Sequence, residues 1–341
     1  MKTDIASLSF EELSAFVSEM GLPKFRAGQI YRNISKGILD FNEMTDLSLD
    51  LRKKLEEAAQ LPVLEIKKKL VDSDGTVKYL FELYDGSLIE AVVMKYKHGN
   101  SVCISSQVGC RMACAFCASS LHGLQRSLTA GEMYCQVALL NKLHGVSSIV
   151  IMGIGEPLDN YDNLLRFLGN LKDERGMNMS HRHVSVSTCG LVPKILELAK
   201  EKLQITLSVS LHAPDNETRN KIMPVNKSYD VEKLISACKE YIRIAGRRIS
   251  FEYTLIKGIN DSDKHAETLA KLLKGMLCHV NLINVNYVEE RGLQPTTPER
   301  VKRFGDILTS RGINTTLRRS LGKEINAACG QLRQTALKNN Q

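Results

Sequence analysis

The sequence of 341 residues lacks any run of apolar residues long enough to cross a bilayer, because a spanning helix needs about 20 of them. No basic segment followed by an apolar stretch precedes Leu8, so a secretory leader is not indicated. Hydrophobic residues at 43% and charged residues at 25% exclude a wholly disordered chain. These features predict a soluble, cytosolic protein with one large domain and a smaller unit.

The nine cysteines lack the even number and regular spacing of a secreted disulfide framework. Clustered cysteines in a reducing compartment more often bind metal or carry out redox chemistry. The cysteine content therefore favours a metal or redox site over a structural role.

Acidic residues are scarce at the C-terminal end. Residues 300–341 contain nine Lys and Arg but only Asp306 and Glu324 as acids, so most of the net charge of +8 lies there. A basic end on a near-neutral body fits a phosphate-facing patch and hence a nucleic-acid partner. A solvated basic tail fits the charge equally well.

The first hundred residues divide into two segments with different residue patterns. Residues 1–60 predict an N-terminal helical accessory domain, in which Ser9 and Glu12 form a capping box and Gly21 ends the first helix. In residues 61–100, apolar and polar residues alternate between turn signals such as Asp74-Gly75. This second segment is predicted to be a β-meander linker.

From residue 101 onward, strand-like runs alternate with helix-like segments, and the runs are rich in Val and Ile. Such β-then-α units predict a parallel sheet covered by helices. Gly153-Ile-Gly155 is followed by Glu156-Pro157, which removes the dinucleotide-binding fingerprint. We therefore predict an α/β fold with a partial (β/α) barrel over residues 101–335. Its strands are expected at 102–105, 148–152, 183–187, 205–211, 249–256, 279–286 and 315–318.

The strongest motif is Cys110-Arg-Met-Ala-Cys114-Ala-Phe-Cys117, directly after the first predicted barrel strand. Three thiolates at these spacings can converge on one iron–sulfur cluster and leave one iron open, as a reactive site requires. Phe116 is placed to shield such a cluster from water. The alternative from spacing alone is a structural zinc ion with Cys103 as fourth ligand.

Longer strings extend this motif, namely Cys103-Ile-Ser-Ser-Gln-Val-Gly-Cys110, Ser210-Leu-His-Ala-Pro214 and Asn326-Ala-Ala-Cys-Gly-Gln-Leu332. With them the sequence resembles the radical S-adenosylmethionine (radical SAM) enzymes and, among these, the RlmN/Cfr family of RNA adenine methyltransferases. The resemblance runs from about residue 8 to residue 332. It implies methylation of adenine carbon 2 in 23S rRNA and in tRNA, next to the anticodon. The same motifs fit the Cfr-type alternative, which methylates carbon 8 of the rRNA adenine and confers antibiotic resistance.

The resemblance also implies roles for individual residues. Cys329 would carry a methyl group as S-methylcysteine, Cys103 would resolve the RNA adduct by forming a disulfide with Cys329, and Glu90 would accept a proton. The implied ligands of one [4Fe-4S] cluster are Cys110, Cys114 and Cys117. The implied contacts to S-adenosylmethionine, used twice per turnover, are Gly155, Glu156, Ser187, Ser210, Leu211, His212 and Asn286.

The implied partners are 23S rRNA, tRNA and a low-potential electron donor such as flavodoxin or ferredoxin, with the protein a monomer. Four further cysteines match no family role and are expected to be small core residues: Cys135, Cys189, Cys238 and Cys278. Of these, Cys189 is expected nearest the cofactor.

Ordinary structural roles remain open for several of these residues. Glu90 is the only charged residue between Ser87 and Met94, which also fits a side chain on the wet face of a strand. Cys329 fits an inert buried cysteine, and His212 a packed core histidine. Asn286 aligns in a segment that lacks the family's usual proline. A third reading is a zinc-stapled RNA-binding protein without catalytic activity.

Overall fold

The computed structural model describes residues 2–319 and 321–332. The helices of this part are α1 (Phe10–Glu19), α2 (Phe25–Ser35), α3 (Leu49–Ala58), α4 (Ala130–His144), α5 (Tyr161–Lys172), α6 (Val192–Lys200), α7 (Asn216–Ile222), α8 (Val231–Ala245), α9 (Asp263–Leu273) and α10 (Pro298–Ser310). The first seven strands are β1 (Thr3–Asp4), β2 (Ala59–Gln60), β3 (Glu65–Val71), β4 (Val77–Glu82), β5 (Leu88–Tyr96), β6 (Gly99–Cys103) and β7 (Gln107–Gly109). The others are β8 (Leu124–Ser127), β9 (Val146–Ile151), β10 (Val184–Thr188), β11 (Thr206–Ser210), β12 (Ile249–Leu255), β13 (Cys278–Asn284) and β14 (Thr315–Leu317).

One ten-stranded sheet organises the chain, in the order β14-β13-β12-β11-β10-β9-β6-β5-β4-β3. Strands β6 and β9 to β14 are parallel, and each is joined to the next by at least one helix. Strands β3 to β6 form an antiparallel meander that extends the same sheet. The expected partial (β/α) barrel, with helices before it and a meander leading into it, is confirmed.

Local sequence signals set the ends of these helices. At α1 the Ser9 hydroxyl accepts a hydrogen bond from Glu12 N (3.2 Å) while the Glu12 carboxylate accepts one from Ser9 N (2.8 Å). This is the reciprocal capping box that the sequence predicts. Helix α8 ends at Gly246, whose φ of 64° is left-handed and therefore favours glycine.

The N-terminal helices pack on one face of the sheet. Their buried side chains, such as Leu13 and Ile30, belong to one hydrophobic cluster that also contains Tyr79 and Phe81 of the meander. Strand β1 pairs in parallel with β2, and Asp4 accepts a hydrogen bond from the Thr129 hydroxyl at the start of α4 (2.9 Å). The opposite face of the meander therefore turns away from these helices.

Strand β3 forms the outer edge of the meander. Its side chains Lys67, Lys68 and Lys69 are all exposed, and Lys67 pairs with Glu82 (2.8 Å). The pairing of β3 with β4 is interrupted by a bulge between Ile66 and Lys68. The edge is thus both charged and irregular.

The basic C-terminal end is less positive in space than in sequence. On α10, Arg300 and Arg303 both pair with Asp263 of α9, at 2.7 and 2.5 Å. Nearby, Lys302 pairs with Asp306 (2.7 Å), and Arg311 at the end of α10 pairs with Glu267 (2.9 Å). These four cations share three carboxylates, so this surface keeps one uncompensated positive charge. Arg333 and Lys338 lie outside the described residues. None of the described helices is long and apolar enough to span a membrane.

Candidate active site

The C-terminal ends of the parallel strands open into one cavity of about 150 Å³. Active sites of (β/α) barrels are built at this end of the strands, because the variable loops follow it. Of the residues expected at the cluster and cofactor site, those lining this cavity are Cys110, Cys114, Cys117, Gly155, Glu156, Ser187, Ser210, His212 and Asn286. Leu211 does not line it, because its side chain is fully buried in the hydrophobic core.

The three motif cysteines lie in the loop between β7 and β8. Cys110 N donates to Gly123 O (3.0 Å) and Cys117 N donates to Cys114 O (3.2 Å), which fixes the loop as a compact turn. Burial raises the pKa of the Cys110 thiol to about 12 and raises the pKa of Cys114 as well. A bound cationic cluster offsets this penalty, since metal ligation deprotonates a thiol outright. The donor set and its apolar surroundings therefore fit an iron–sulfur cluster.

A structural zinc site that includes Cys103 does not fit the positions of the four cysteines. Cys103 lines a second, smaller cavity, whereas Cys110, Cys114 and Cys117 line the first. Among residues 2–319 and 321–332, no three His, Cys, Asp or Glu side chains are arranged to hold a single metal ion. Zinc needs all its thiolates within about 2.3 Å of one centre, whereas an iron–sulfur cluster accepts thiolates spread over several irons.

Glu156 joins the ends of two neighbouring strands. Its Oε2 accepts a hydrogen bond from Cys189 N (2.7 Å) and its Oε1 accepts one from Leu158 N (3.0 Å), while burial raises the pKa of the carboxyl group. The preceding Gly155 has φ 111°, and a Cβ there would lie 2.6 Å from Cβ of Gln107. Only glycine allows the chain to pass so close to β7 at this point.

His212 presents a neutral ring to the cavity. Its Nδ1 accepts a hydrogen bond from Thr254 N (2.9 Å), and its ring packs edge-on against Phe116 with centroids 4.8 Å apart. Burial lowers the pKa of His212 to about 3. The ring therefore carries its single proton on Nε2 and acts as an uncharged donor.

Arg219 of α7 holds two strand ends in place, a role that the sequence did not predict. Its fully buried guanidinium donates to main-chain oxygens of Leu211 (3.0 Å), Cys189 (2.7 Å) and Ser210 (3.1 Å) and to Oδ1 of Asn226 (3.0 Å). The oxygen atoms that accept these hydrogen bonds come from separate parts of the sequence, so no local motif indicates the contacts. Arg219 thereby sets the positions of the loops that carry Cys189 and Ser210.

Cys329 borders both cavities. It lines the first with the motif cysteines and the second with Cys103, and both Cys103 and Cys329 are free thiols. Burial raises the pKa of Cys103 to about 12. Arg318 also lines both cavities with its side chain only 22% exposed, and its electrostatic interaction with Cys329 raises the pKa of its guanidinium. Arg318 is therefore part of the site interior and not of a surface patch.

Hydrogen bonds anchor the loop that carries Cys329. Asn286 Nδ2 donates to Cys329 O (3.0 Å), Ala118 N donates to Gly330 O (2.8 Å), and Gln331 Nε2 donates to the main-chain oxygen of Tyr287 (3.0 Å). The C-terminal loop is thus tied both to the cysteine loop and to the end of β13.

Glu90 is buried at 5% exposure, which contradicts the wet-face alternative. It forms an ion pair with Lys78 (3.0 Å), whose Nζ also donates to Asn326 O (3.2 Å). Val92 lies opposite Cys103 in the sheet, and residues two apart on a strand share a face. Glu90 therefore lies on the same sheet face as Cys103, although it lines neither cavity.

Two further observations complete the site. Cys135, Cys238 and Cys278 are buried away from both cavities, whereas the buried Cys189 lines the first. Glu252 of β12 also lines the first cavity, and within residues 2–319 and 321–332 its Oε2 has no hydrogen-bond partner. An unpaired buried acceptor facing a cavity fits a ligand that brings its own donors, as S-adenosylmethionine does.

A parallel sheet that ends in a three-cysteine loop beside such a cavity defines a radical SAM enzyme. The Radical SAM superfamily model matches residues 104–273, and the "Ribosomal RNA large subunit methyltransferase N-terminal domain" model matches residues 3–61. A "Probable dual-specificity RNA methyltransferase RlmN" of Lachnospira eligens is 52% identical over 97% of this chain and 96% of its own. The protein of the same name from Alkaliphilus oremlandii is 52% identical over 99% of each chain.

The chain belongs to the RlmN family, and it is an enzyme that uses a [4Fe-4S] cluster and S-adenosylmethionine. A similar solved structure is that of a radical SAM methyltransferase from Sphaerobacter thermophilus. It has a TM-score of 0.95 and 43% sequence identity, covering 98% of this chain and all of that one.

Proposed function

We propose that this enzyme methylates carbon 2 of adenine in 23S rRNA and in tRNA, with Cys329 as the methyl carrier. Carbon 2 lies between two ring nitrogens and has no lone pair, so it cannot attack a methyl sulfonium as an ordinary nucleophile. Relatives that are half identical over nearly the whole chain are named dual-specificity RNA methyltransferases, which supports RNA methylation with two kinds of substrate. The description of the matching N-terminal domain supports ribosomal RNA as one of them. The observation that carries the proposal is the position of Cys329, which borders the cofactor cavity and also the cavity of Cys103.

When bound, the cluster and S-adenosylmethionine would supply a methyl group to Cys329 and a radical at the 5′ carbon of the cofactor that removes one hydrogen from that methyl group. The activated methyl carbon on Cys329 then bonds to adenine carbon 2, joining enzyme and RNA. Glu90 accepts the proton that carbon 2 loses, and the one electron lost with it would return to the bound cluster. Cys103 attacks Sγ of Cys329, which forms the S–S bond and breaks the S–C bond. The electron pair of the broken bond stays on the carbon, which takes up a proton to become the methyl group, and the methylated adenine leaves.

Two features of the chain support this division of roles. The attack by Cys103 requires its thiolate, yet burial holds its pKa near 12. Arg318 borders the same small cavity and brings a positive charge to it, which stabilises a thiolate there. The Lys78–Glu90 pair lies on the sheet face that leads to Cys103, where it keeps a carboxylate charged although buried.

The remaining partners follow from the same proposal. The cluster needs a one-electron reductant of low potential, for which a flavodoxin or ferredoxin is the expected class. The protein acts as a monomer in the cytoplasm, where its thiols stay reduced and its RNA substrates are found.

Mass spectrometry of nucleosides tests the regiochemistry directly. The cluster-loaded protein is incubated anaerobically with S-adenosylmethionine, a reductant and either 23S rRNA or tRNA. We expect 2-methyladenosine from both RNAs and none from the Cys329→Ala variant. The appearance of 8-methyladenosine instead would assign the Cfr-type activity.

A further inference from the structure

Glu252 has a buried carboxylate group, and one of its two oxygens lacks a hydrogen-bond partner among the described residues. It lies on β12 at 3% exposure, and its Oε1 accepts hydrogen bonds from Asn281 Nδ2 (3.0 Å) and the Ser250 hydroxyl (3.4 Å). Its Oε2 has no hydrogen-bond partner among the described residues, and Nη1 of Arg318 lies 4.0 Å away. That distance is too long for a hydrogen bond, so Arg318 balances the charge without satisfying the acceptor.

This oxygen is unusual within the part of the chain that the structure describes. Five buried side-chain polar atoms there lack a partner, and Glu252 Oε2 is the only carboxylate oxygen among them. It also belongs to the only one of these five residues that lines the cofactor cavity. A buried acceptor is costly to leave unpaired, so its position on a cavity wall indicates a donor that arrives with the ligand.

The surroundings select among the donors of S-adenosylmethionine. Its ammonium group is disfavoured here, because the Arg318 cation lies 4.0 Å from the acceptor. Gly155 and Glu156, which are also expected to contact the cofactor, follow β9, three strands away in the sheet. A neutral donor such as a ribose hydroxyl suits Glu252 better.

The ribose is also the part of the cofactor that must approach Cys329, because its 5′ carbon is the one that reacts with the methyl group there. Arg318, the neighbour of Glu252, lines both cavities together with Cys329. Ser210 lies directly opposite Glu252 on β11 and lines the same wall. A ribose beside Ser210 and Glu252 therefore has Arg318 and Cys329 as its next neighbours.

We propose that Glu252 is a positioning residue that accepts a hydrogen bond from a ribose hydroxyl of S-adenosylmethionine and so aims its 5′ carbon at Cys329. The proposal rests on the cofactor use and methyl-carrier role given above. It adds a contact that none of the sequence motifs indicated.

Binding measurements with matched ligands test this contact without relying on turnover. Dissociation constants are measured anaerobically, by equilibrium dialysis on cluster-loaded protein, for S-adenosylmethionine and its 2′-deoxy and 3′-deoxy analogues. We expect Glu252→Gln to weaken binding of S-adenosylmethionine about tenfold. Wild-type protein should bind one of the two deoxy analogues about as weakly as the variant binds S-adenosylmethionine. The variant should bind that same analogue with the affinity that wild-type protein has for it.

Matched controls separate this contact from general damage. Asp261→Asn removes another buried carboxylate, which does not line the cavity, and should leave all three dissociation constants unchanged. Should Glu252→Gln fail to fold, Glu252→Asp keeps the charge but withdraws the oxygen by one methylene and gives the same comparison. Unchanged affinity, or an equal loss for all three ligands, would overturn the contact. Wild-type protein that bound no S-adenosylmethionine would overturn the cofactor assignment itself.

Discussion

At the scale of single residues, Cys103 and Cys329 border the same small cavity but are expected to fail differently when changed. Cys329→Ala removes the methyl carrier, so it should give neither methylated RNA nor an RNA adduct. Cys103→Ala should build the adduct and stall, because no thiolate remains to attack the Cys329 sulfur. Denaturing gels with labelled RNA, followed by mass spectrometry of the linked peptide, distinguish the two. The same behaviour in both variants, with no trapped RNA, would refute the proposed roles.

His212 predicts a pH dependence of stability. Burial lowers its pKa from 6.5 to about 3 in the folded protein, so the unfolded chain binds the proton more tightly. The stability due to neutral His212 is therefore complete above about pH 6.5 and is lost as the pH falls towards 3, by at most about 1.4 kcal/mol per pH unit. Urea unfolding of metal-free protein between neutral pH and about pH 5 measures this slope. His212→Gln should have a shallower slope, and equal slopes would contradict the assignment.

The residues that were found from sequence and those that were missed differ in one respect. Cys110, Cys114 and Cys117 stand in a local motif with fixed spacing, and Cys329 was found through a resemblance. Arg219 and Glu252 owe their roles to partners on other strands and loops. Sequence alone does not specify such contacts, because the fold creates them.

At the scale of elements, the cysteine loop provides a prediction with an internal control. Changing Cys110, Cys114 or Cys117 to Ala should each abolish cluster binding, because each thiolate is expected to bind a separate iron. Cys189→Ala should keep the cluster, although Cys189 lines the same cavity. Iron and sulfide analysis of anaerobically reconstituted proteins measures both. A full cluster in any of the three motif variants would contradict the ligand assignment.

Helix α7 is expected to hold the cofactor-side loops through Arg219. Arg219→Met leaves several buried acceptors unpaired and should lower the free energy of unfolding by at least about 3 kcal/mol. Arg243→Met on α8 removes a cation whose pair with Glu240 is exposed, and it should change stability by no more than about 0.5 kcal/mol. Chemical denaturation of metal-free protein compares the two. Equal effects would mean that the buried contacts of Arg219 add nothing to stability.

The regular elements of the barrel were predictable because their patterns are strong and local. The predicted strand at residues 249–256 corresponds to β12 at Ile249–Leu255, and the predicted strand at residues 183–187 corresponds to β10 at Val184–Thr188. Helix α7 was missed because it has only seven residues, most of them polar. The β7–β8 pair was missed because it encloses the cysteine loop. The spacing of the cysteines there indicates metal binding and gives no signal for strand pairing.

At the scale of the whole molecule, the nine Lys and Arg of residues 300–341 overstate the basic surface open to RNA, since four of them are paired with carboxylates. Arg319 is exposed and lines the cavity of Cys103 and Cys329. Arg319→Gln should weaken RNA binding and reduce the salt dependence by a slope of about one. Arg303→Gln should change neither, because Arg303 pairs with Asp263. RNA affinity measured across a salt series tests both, and an unchanged slope for Arg319→Gln would exclude a phosphate contact.

The lysines of the edge strand β3 affect whether two copies of the protein can pair through this edge. An unpaired strand edge offers free main-chain groups to any other strand, and long flat edges of this kind lead to aggregation. Here Lys68 and Lys69 stand side by side next to a bulge, so a second copy approaching edge to edge meets like charge on a kinked backbone. The β3 edge therefore disfavours pairing with a strand of a second copy.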